Sequence, residues 1–169
     1  MKIQIKIINS NELHDIRSKV LRNGLDPKMC TFEGDTRTNS IHVGAFIENK
    51  IVGGVSLIKN NCKINNEWEC FQLRGLCVYD KYQNSSIGTK IISKIENIIS
   101  KKKSKYIWMN ARQSAVKFYL NLGYINSNKT KIIGNIGLHY MLFKYLWIKE
   151  ICYVYWSCYW LARWCIRKK

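Results

Sequence analysis

The chain is poor in proline, in acidic residues and in uninterrupted apolar sequence. One proline among 169 residues argues against proline-rich linkers between domains, and the length fits one domain with a short appendage. Only 11 Asp and Glu stand against 28 Lys and Arg, a formal net charge of +17. Such a field attracts nucleic acid, anionic lipid or small anionic substrates. The abundance of Lys, Asn and Ile throughout also reads as compositional drift over a solvated surface. No apolar run is long enough to span a bilayer comfortably. Seven cysteines, an odd number without a CxxC pair, supply neither a disulfide framework nor a zinc spacing, so no metal is expected. The opening "MKIQIKIINS" lacks the apolar centre of a signal peptide. Together these features suggest a reduced, cytoplasmic protein. Two phosphate-loop patterns are also absent, G-x-x-x-x-G-K-[ST] and G-x-G-x-x-G.

What is present is ample apolar material, 47% of the residues with 12% aromatics, enough for a packed core. "KIQIKII" alternates like a half-buried strand. "SNELHDIRSKVLR" reads as a helix capped at Ser10 or Asn11, with Leu13, Ile16, Val20 and Leu21 on one face. Asn23 to Asn39 is polar and reads as a long loop with one helical turn. "IHVGAFI" and "IVGGVSLI" flank a short turn as a hairpin, and "WECFQLRGLCVY" gives a third strand. Ile87, Ile91, Ile92, Ile95, Ile98 and Ile99 recur at helical spacing. Lys101, Lys102 and Lys103 then suit the negative end of that helix dipole. "YIWMN" reads as a buried strand, "RQSAVKFYLNL" as a helix stopped by Gly123, and "LHYMLFKYL" as a last strand. The order β-α-loop-β-β-β-α-β-α-β-β is that of a mixed α/β layer fold.

The chain divides into residues 1–146 and an aromatic, basic extension, 147–169. The extension carries Trp147, Trp156, Trp160 and Trp164 and ends in Arg-Lys-Lys. It suits either a weak membrane or partner contact or loose packing on the domain.

The segment "YQNSSIGTKIISKIENIIS" runs from a small-residue loop into a helix, and the free N–H groups at a helix start attract anions. Its Gln83-x-x-Ser86-x-Gly88 resembles the pyrophosphate loop of the GCN5-related N-acetyltransferase (GNAT) superfamily, [Arg/Gln]-x-x-Gly-x-[Gly/Ala], with serine in place of the first glycine. "NARQSAVKFYLNLGY" is similar to the superfamily's "N…A..FY..LGF" block, and the likeness runs from Leu13 to Leu146. It implies a mixed sheet of six to seven strands with helices on both faces and a splay between two central parallel strands. It also implies acetyl-CoA as cosubstrate.

By resemblance, Leu76, Cys77 and Val78 would pair with the pantetheine arm. Gln83, Asn84, Ser85, Ser86, Ile87, Gly88 and Thr89 would receive the pyrophosphate. Asn110, Ala115, Phe118 and Tyr119 would complete the coenzyme site, although Asn110 also reads as a strand-end amide capping the next helix. Tyr119 is the implied general acid, and it equally suits a core position. For the general base His42, His139, Asp35 and Glu69 are candidates, the histidines by their pKa, although a lone histidine is more often structural. Arg22, Asp35, Arg74 and Arg112 form the expected acceptor side, with Arg37 nearby. Cys77 reads as packing.

The expected activity is acetyl transfer to a primary amine of a small anionic acceptor, with glucosamine 6-phosphate as the leading example. The alternatives are a protein N-terminus or lysine as acceptor, or a non-enzymatic basic module for nucleic acid or membrane. No specific nucleic acid partner is expected, and a homodimer remains open.

Overall fold

In a computed structural model, the described residues are 2–60, 70–102 and 106–146. The extension 147–169, Cys62 and Glu69 lie outside them. Seven strands form one sheet in the order β1-β2-β3-β4-β5-β7-β6. These are β1 (Gln4–Ile8), β2 (Ile41–Ile47), β3 (Lys50–Lys59), β4 (Cys70–Val78), β5 (Tyr106–Arg112), β6 (Ile125–Ile133) and β7 (Gly137–Tyr145). Three helices accompany them: α1 (His14–Leu21), α2 (Ile87–Ser100) and α3 (Gln113–Asn121). Among the described residues no helix is long and apolar enough to cross a membrane.

Helix α2 forms although its sequence is rich in β-branched isoleucine, which has modest helix propensity. Ile87, Ile91, Ile92, Ile95 and Ile99 are all buried against the sheet. Each contributes roughly 1.5–3 kcal/mol on burial, so packing overrides the intrinsic preference. Helix α3 joins the same core through Val116, Phe118, Tyr119 and Leu122, whereas α1 seals a second cluster around Leu13, Ile16 and Cys77. Helices therefore cover both faces. The first turn before α1 caps at Asn9, earlier than Ser10 or Asn11. The Glu12 carboxylate accepts the Asn9 N–H at 2.9 Å, which favours that start. At the end of α3, Gly123 adopts φ +82°. The Tyr124 N–H reaches back to the Tyr119 carbonyl, closing a Schellman turn.

The centre of the sheet is its functional feature. Among the described residues only β4 and β5 run parallel, and they pair at Cys70–Tyr106, Phe71–Ile107 and Gln72–Trp108 before they diverge. Beyond that point β4 carries a bulge. Gly54 opposes Cys77 and Ser56 opposes Arg74, so Gly75 and Leu76 face the single residue Val55. Gly75 holds φ +63° there, and an added Cβ would lie 2.2 Å from the Phe32 ring. Only glycine satisfies both the left-handed backbone and that close contact. The bulge bends β4 away from β5 and opens the sheet.

Candidate active site

The divergence of β4 and β5 opens a cleft of about 530 Å³. Its walls are Leu76, Cys77 and Val78 from β4, Tyr82, Gln83, Asn84 and Ser86 from the turn that follows, the first turn of α2, and Ser114 and Phe118 from α3, with Val20 of α1. Val20 belongs to the α1 cluster and Phe118 to the α2–α3 core. The cleft thus connects the two faces of the sheet.

Ten of the expected coenzyme residues line it: Leu76, Cys77, Val78, Gln83, Asn84, Ser86, Ile87, Gly88, Thr89 and Phe118. Four do not. Ser85 turns its hydroxyl to the Tyr82 carbonyl, Ala115 packs on the core, and Asn110 stands in β5 opposite Met141. Tyr119 lies behind the wall, its ring 5.1 Å from Phe118 and 5.5 Å from Tyr124. Val20, Tyr82 and Ser114 line the cleft without having been expected. Ser114 lies two residues after the "NAR" of the quoted block, and Val20 lies on the apolar stripe of α1, so both left a trace in the sequence.

The loop is built for an anion. Asn84 and Ser86 hold φ +59° and +62°, and the Lys90 N–H makes its helical bond to the Ser86 carbonyl. The amides of Ile87, Gly88 and Thr89, the first turn of the helix, precede any intrahelical partner and carry the positive end of the dipole. The Ser86 side chain does not cap them. The left-handed backbone at Ser86 costs a residue with a Cβ about 1–2 kcal/mol. Ser86→Gly is therefore expected to raise stability by about 0.5–1 kcal/mol, after the extra unfolded-state entropy of glycine is subtracted. Urea unfolding at matched m-values checks this, and an unchanged midpoint would refute it.

The expected bases behave differently. His42 is buried in β2, its Nδ1 bonded to the Ser56 hydroxyl and its Nε2 2.9 Å from the Asp35 carbonyl. Burial lowers its pKa, outweighing the pull of Asp35. Asp35 is also buried, paired with Arg17 at 2.5 Å and accepting the Phe32 N–H at 2.7 Å. Burial alone would raise this carboxyl, but the Arg17 hydrogen bond and the Phe32 amide hold it below the usual range. Both groups belong to one buried network and neither lines the cleft, so His42 as a base and Asp35 as an acceptor contact would each need that network to open. His139, buried in β7, donates its Nδ1–H to the Gly137 carbonyl at 2.9 Å and stands across the strands from Arg112. It does not line the cleft.

Arg17 of α1 escaped the sequence reading. It is fully buried and also donates to the Cys30 carbonyl and to Ser56, with its guanidinium 4.2 Å from the Phe32 ring centroid. Arg22 and Arg74 approach the same ring at 5.5 and 5.4 Å. Arg112 reaches the Leu21 carbonyl at 3.1 Å. Cys77 is no nucleophile, because burial pushes its thiol up to about 12. Among the described residues no three His, Cys, Asp or Glu cluster as a metal site.

A family model described as an acetyltransferase (GNAT) domain matches residues 23–144. The chain belongs to the GNAT family. It is 24% identical over 144 residues to the uncharacterized N-acetyltransferase YitI of Bacillus subtilis (strain 168), covering 85% of this chain and 97% of that one. The fold is similar to an aminoglycoside 6'-N-acetyltransferase solved with coenzyme A, at TM-score 0.64 and 17% identity over 85% of this chain and 97% of the other. It is also similar to the ribosomal-protein-S18-alanine N-acetyltransferase of Escherichia coli, at TM-score 0.68 and 12% identity, covering 86% and 94%. The family membership makes this protein an N-acetyltransferase and sets aside the non-enzymatic reading.

Proposed function

We propose that the protein transfers acetyl from acetyl-CoA to the primary amine of a small anionic acceptor, an amino-sugar phosphate such as glucosamine 6-phosphate being the leading candidate. The observation that carries this is the position of Arg22 and Arg74 around Phe32, whose ring packs on the β4 bulge. In this reading the coenzyme's pyrophosphate rests on the amides at the start of α2, and its pantetheine arm runs along Leu76 to Val78. The acceptor enters from the α1 face, over the bulge. The coenzyme supplies an activated thioester, and the chain supplies alignment and proton handling.

The loop gives this reading a first test. An added Cβ at Gly88 would lie 3.2 Å from the Phe118 ring, which walls the cleft. Gly88→Val should therefore weaken coenzyme A binding at least tenfold, about 1.4 kcal/mol, as measured by calorimetry. An unchanged Kd would move the pyrophosphate elsewhere.

The acceptor is tested by following thiol release from acetyl-CoA with a panel of amines. Amino-sugar phosphates should outpace their unphosphorylated sugars. Turnover of the neutral sugars alone would refute the anionic acceptor, and turnover only of peptides would favour a protein acceptor.

A further inference from the structure

The arginines near the acceptor side are not equivalent. Arg17 is neutralised by Asp35, Arg112 donates to the Leu21 carbonyl, and Arg37 sits exposed beside Glu33. Arg22 and Arg74 differ, since among the described residues neither lies within ion-pairing distance of a carboxylate. Arg74 gives one nitrogen to the Glu33 carbonyl at 2.8 Å, and the Arg22 side chain has no hydrogen bond among them. Asp35 and Glu33 act on Arg74 from beyond ion-pairing distance, and an anion placed between the two guanidiniums would join both.

The ring itself is fixed from three directions. Its backbone N–H donates to Asp35, its π system meets the buried Arg17, and its edge fills the space that a side chain at Gly75 would need. A ring held this firmly can hold guanidiniums in turn, because the cation favours its electron-rich face.

We propose that Arg22 and Arg74 form a subsite for a phosphomonoester, and that Phe32 is the positioning residue that holds the pair. Two single positive charges match a group that carries −1.5 to −2 near neutral pH better than a monoanionic carboxylate. This rests on the amino-sugar phosphate reading above and assigns the residues that would hold its phosphate.

The test is titration of inorganic phosphate into protein saturated with coenzyme A, so that the α2 loop is already filled, with acetate at equal ionic strength as control. Phosphate should bind more tightly than acetate. Arg22→Gln and Arg74→Gln should each weaken it about tenfold, in keeping with a lost charge-assisted bond. Phe32→Leu should weaken it roughly threefold, while Phe32→Tyr, which keeps the ring, and Arg37→Gln stay within twofold of the parent. A loss confined to packing would lower the unfolding midpoint of Phe32→Leu without changing phosphate affinity, and that result would overturn the positioning role. Equal binding of acetate, or phosphate binding insensitive to Arg22→Gln and Arg74→Gln, would overturn the subsite. If instead only unphosphorylated amines are acetylated while phosphate binding still depends on both arginines, the subsite stands and the acceptor reading fails.

Discussion

Replacing Arg17 by methionine is expected to destabilise the fold by about 3–5 kcal/mol. Methionine keeps much of the stem volume but removes the cation, leaving the buried Asp35 carboxylate without its main partner. Ser56, the Cys30 carbonyl and the Phe32 ring lose their contacts as well. Against a typical total of roughly 5–15 kcal/mol this is a large fraction. Urea unfolding would show it as a lower midpoint at unchanged slope. A loss under about 1 kcal/mol would mean that water reaches Asp35 and that the network is not closed. The double variant Arg17→Met with Asp35→Leu should recover part of the loss, because the uncompensated charge goes with it.

The same network sets an acid limit. His42 has a folded pKa below its ordinary 6.5, so the unfolded chain binds a proton that the folded chain refuses. Stability from this group is lost as pH falls from about 6.5 toward the folded value. Asp35 adds to the loss at lower pH. Its folded pKa lies below 3.8, so its contribution is present above that value and disappears as pH falls through the folded pKa.

Much of this was legible in the chain because it depends on local pattern. The isoleucines of α2, the alternation of β1, the short turn between β2 and β3 and the stop at Gly123 all signal through spacing, and the loop–helix junction signals through small residues. What escaped depends on tertiary neighbours. Arg17 falls four residues after Leu13 and beside Ile16, within the buried stripe of α1. A cation on that stripe was the available sign of a buried partner. His42 and Asp35 looked chemically useful in isolation. Nothing local shows that β2 and the loop before it converge on the same guanidinium. The handedness at Ser86 was hidden for a related reason, since a serine gives no sign that the fold demands φ +62° of it.

Tyr119→Phe is expected to lower kcat by about 10²–10⁴, the range of a lost general acid. We propose that the tyrosine hydroxyl protonates the departing sulfur; because Tyr119 stands behind Phe118 in this structure, that role requires Phe118 to move aside when the coenzyme binds. Phenylalanine preserves the ring and its edge contacts with Phe118 and Tyr124, so the fold and the KM for acetyl-CoA should change little. Among the described residues that hydroxyl has no hydrogen-bond partner, which leaves its proton uncommitted. Burial raises its pKa well above 10, and the neighbouring Cys77 adds to the rise. The group is thus protonated throughout the neutral range, and the same raised pKa makes it a weaker acid toward a leaving thiolate. The sign of the pH dependence follows: activity should show no alkaline decline from Tyr119 below about pH 10. The variant should lose rate by a similar factor across that range. A variant with parental kcat would remove Tyr119 from the mechanism. An equal loss in kcat/KM and in coenzyme affinity would instead make it a wall of the cleft, acting through Phe118.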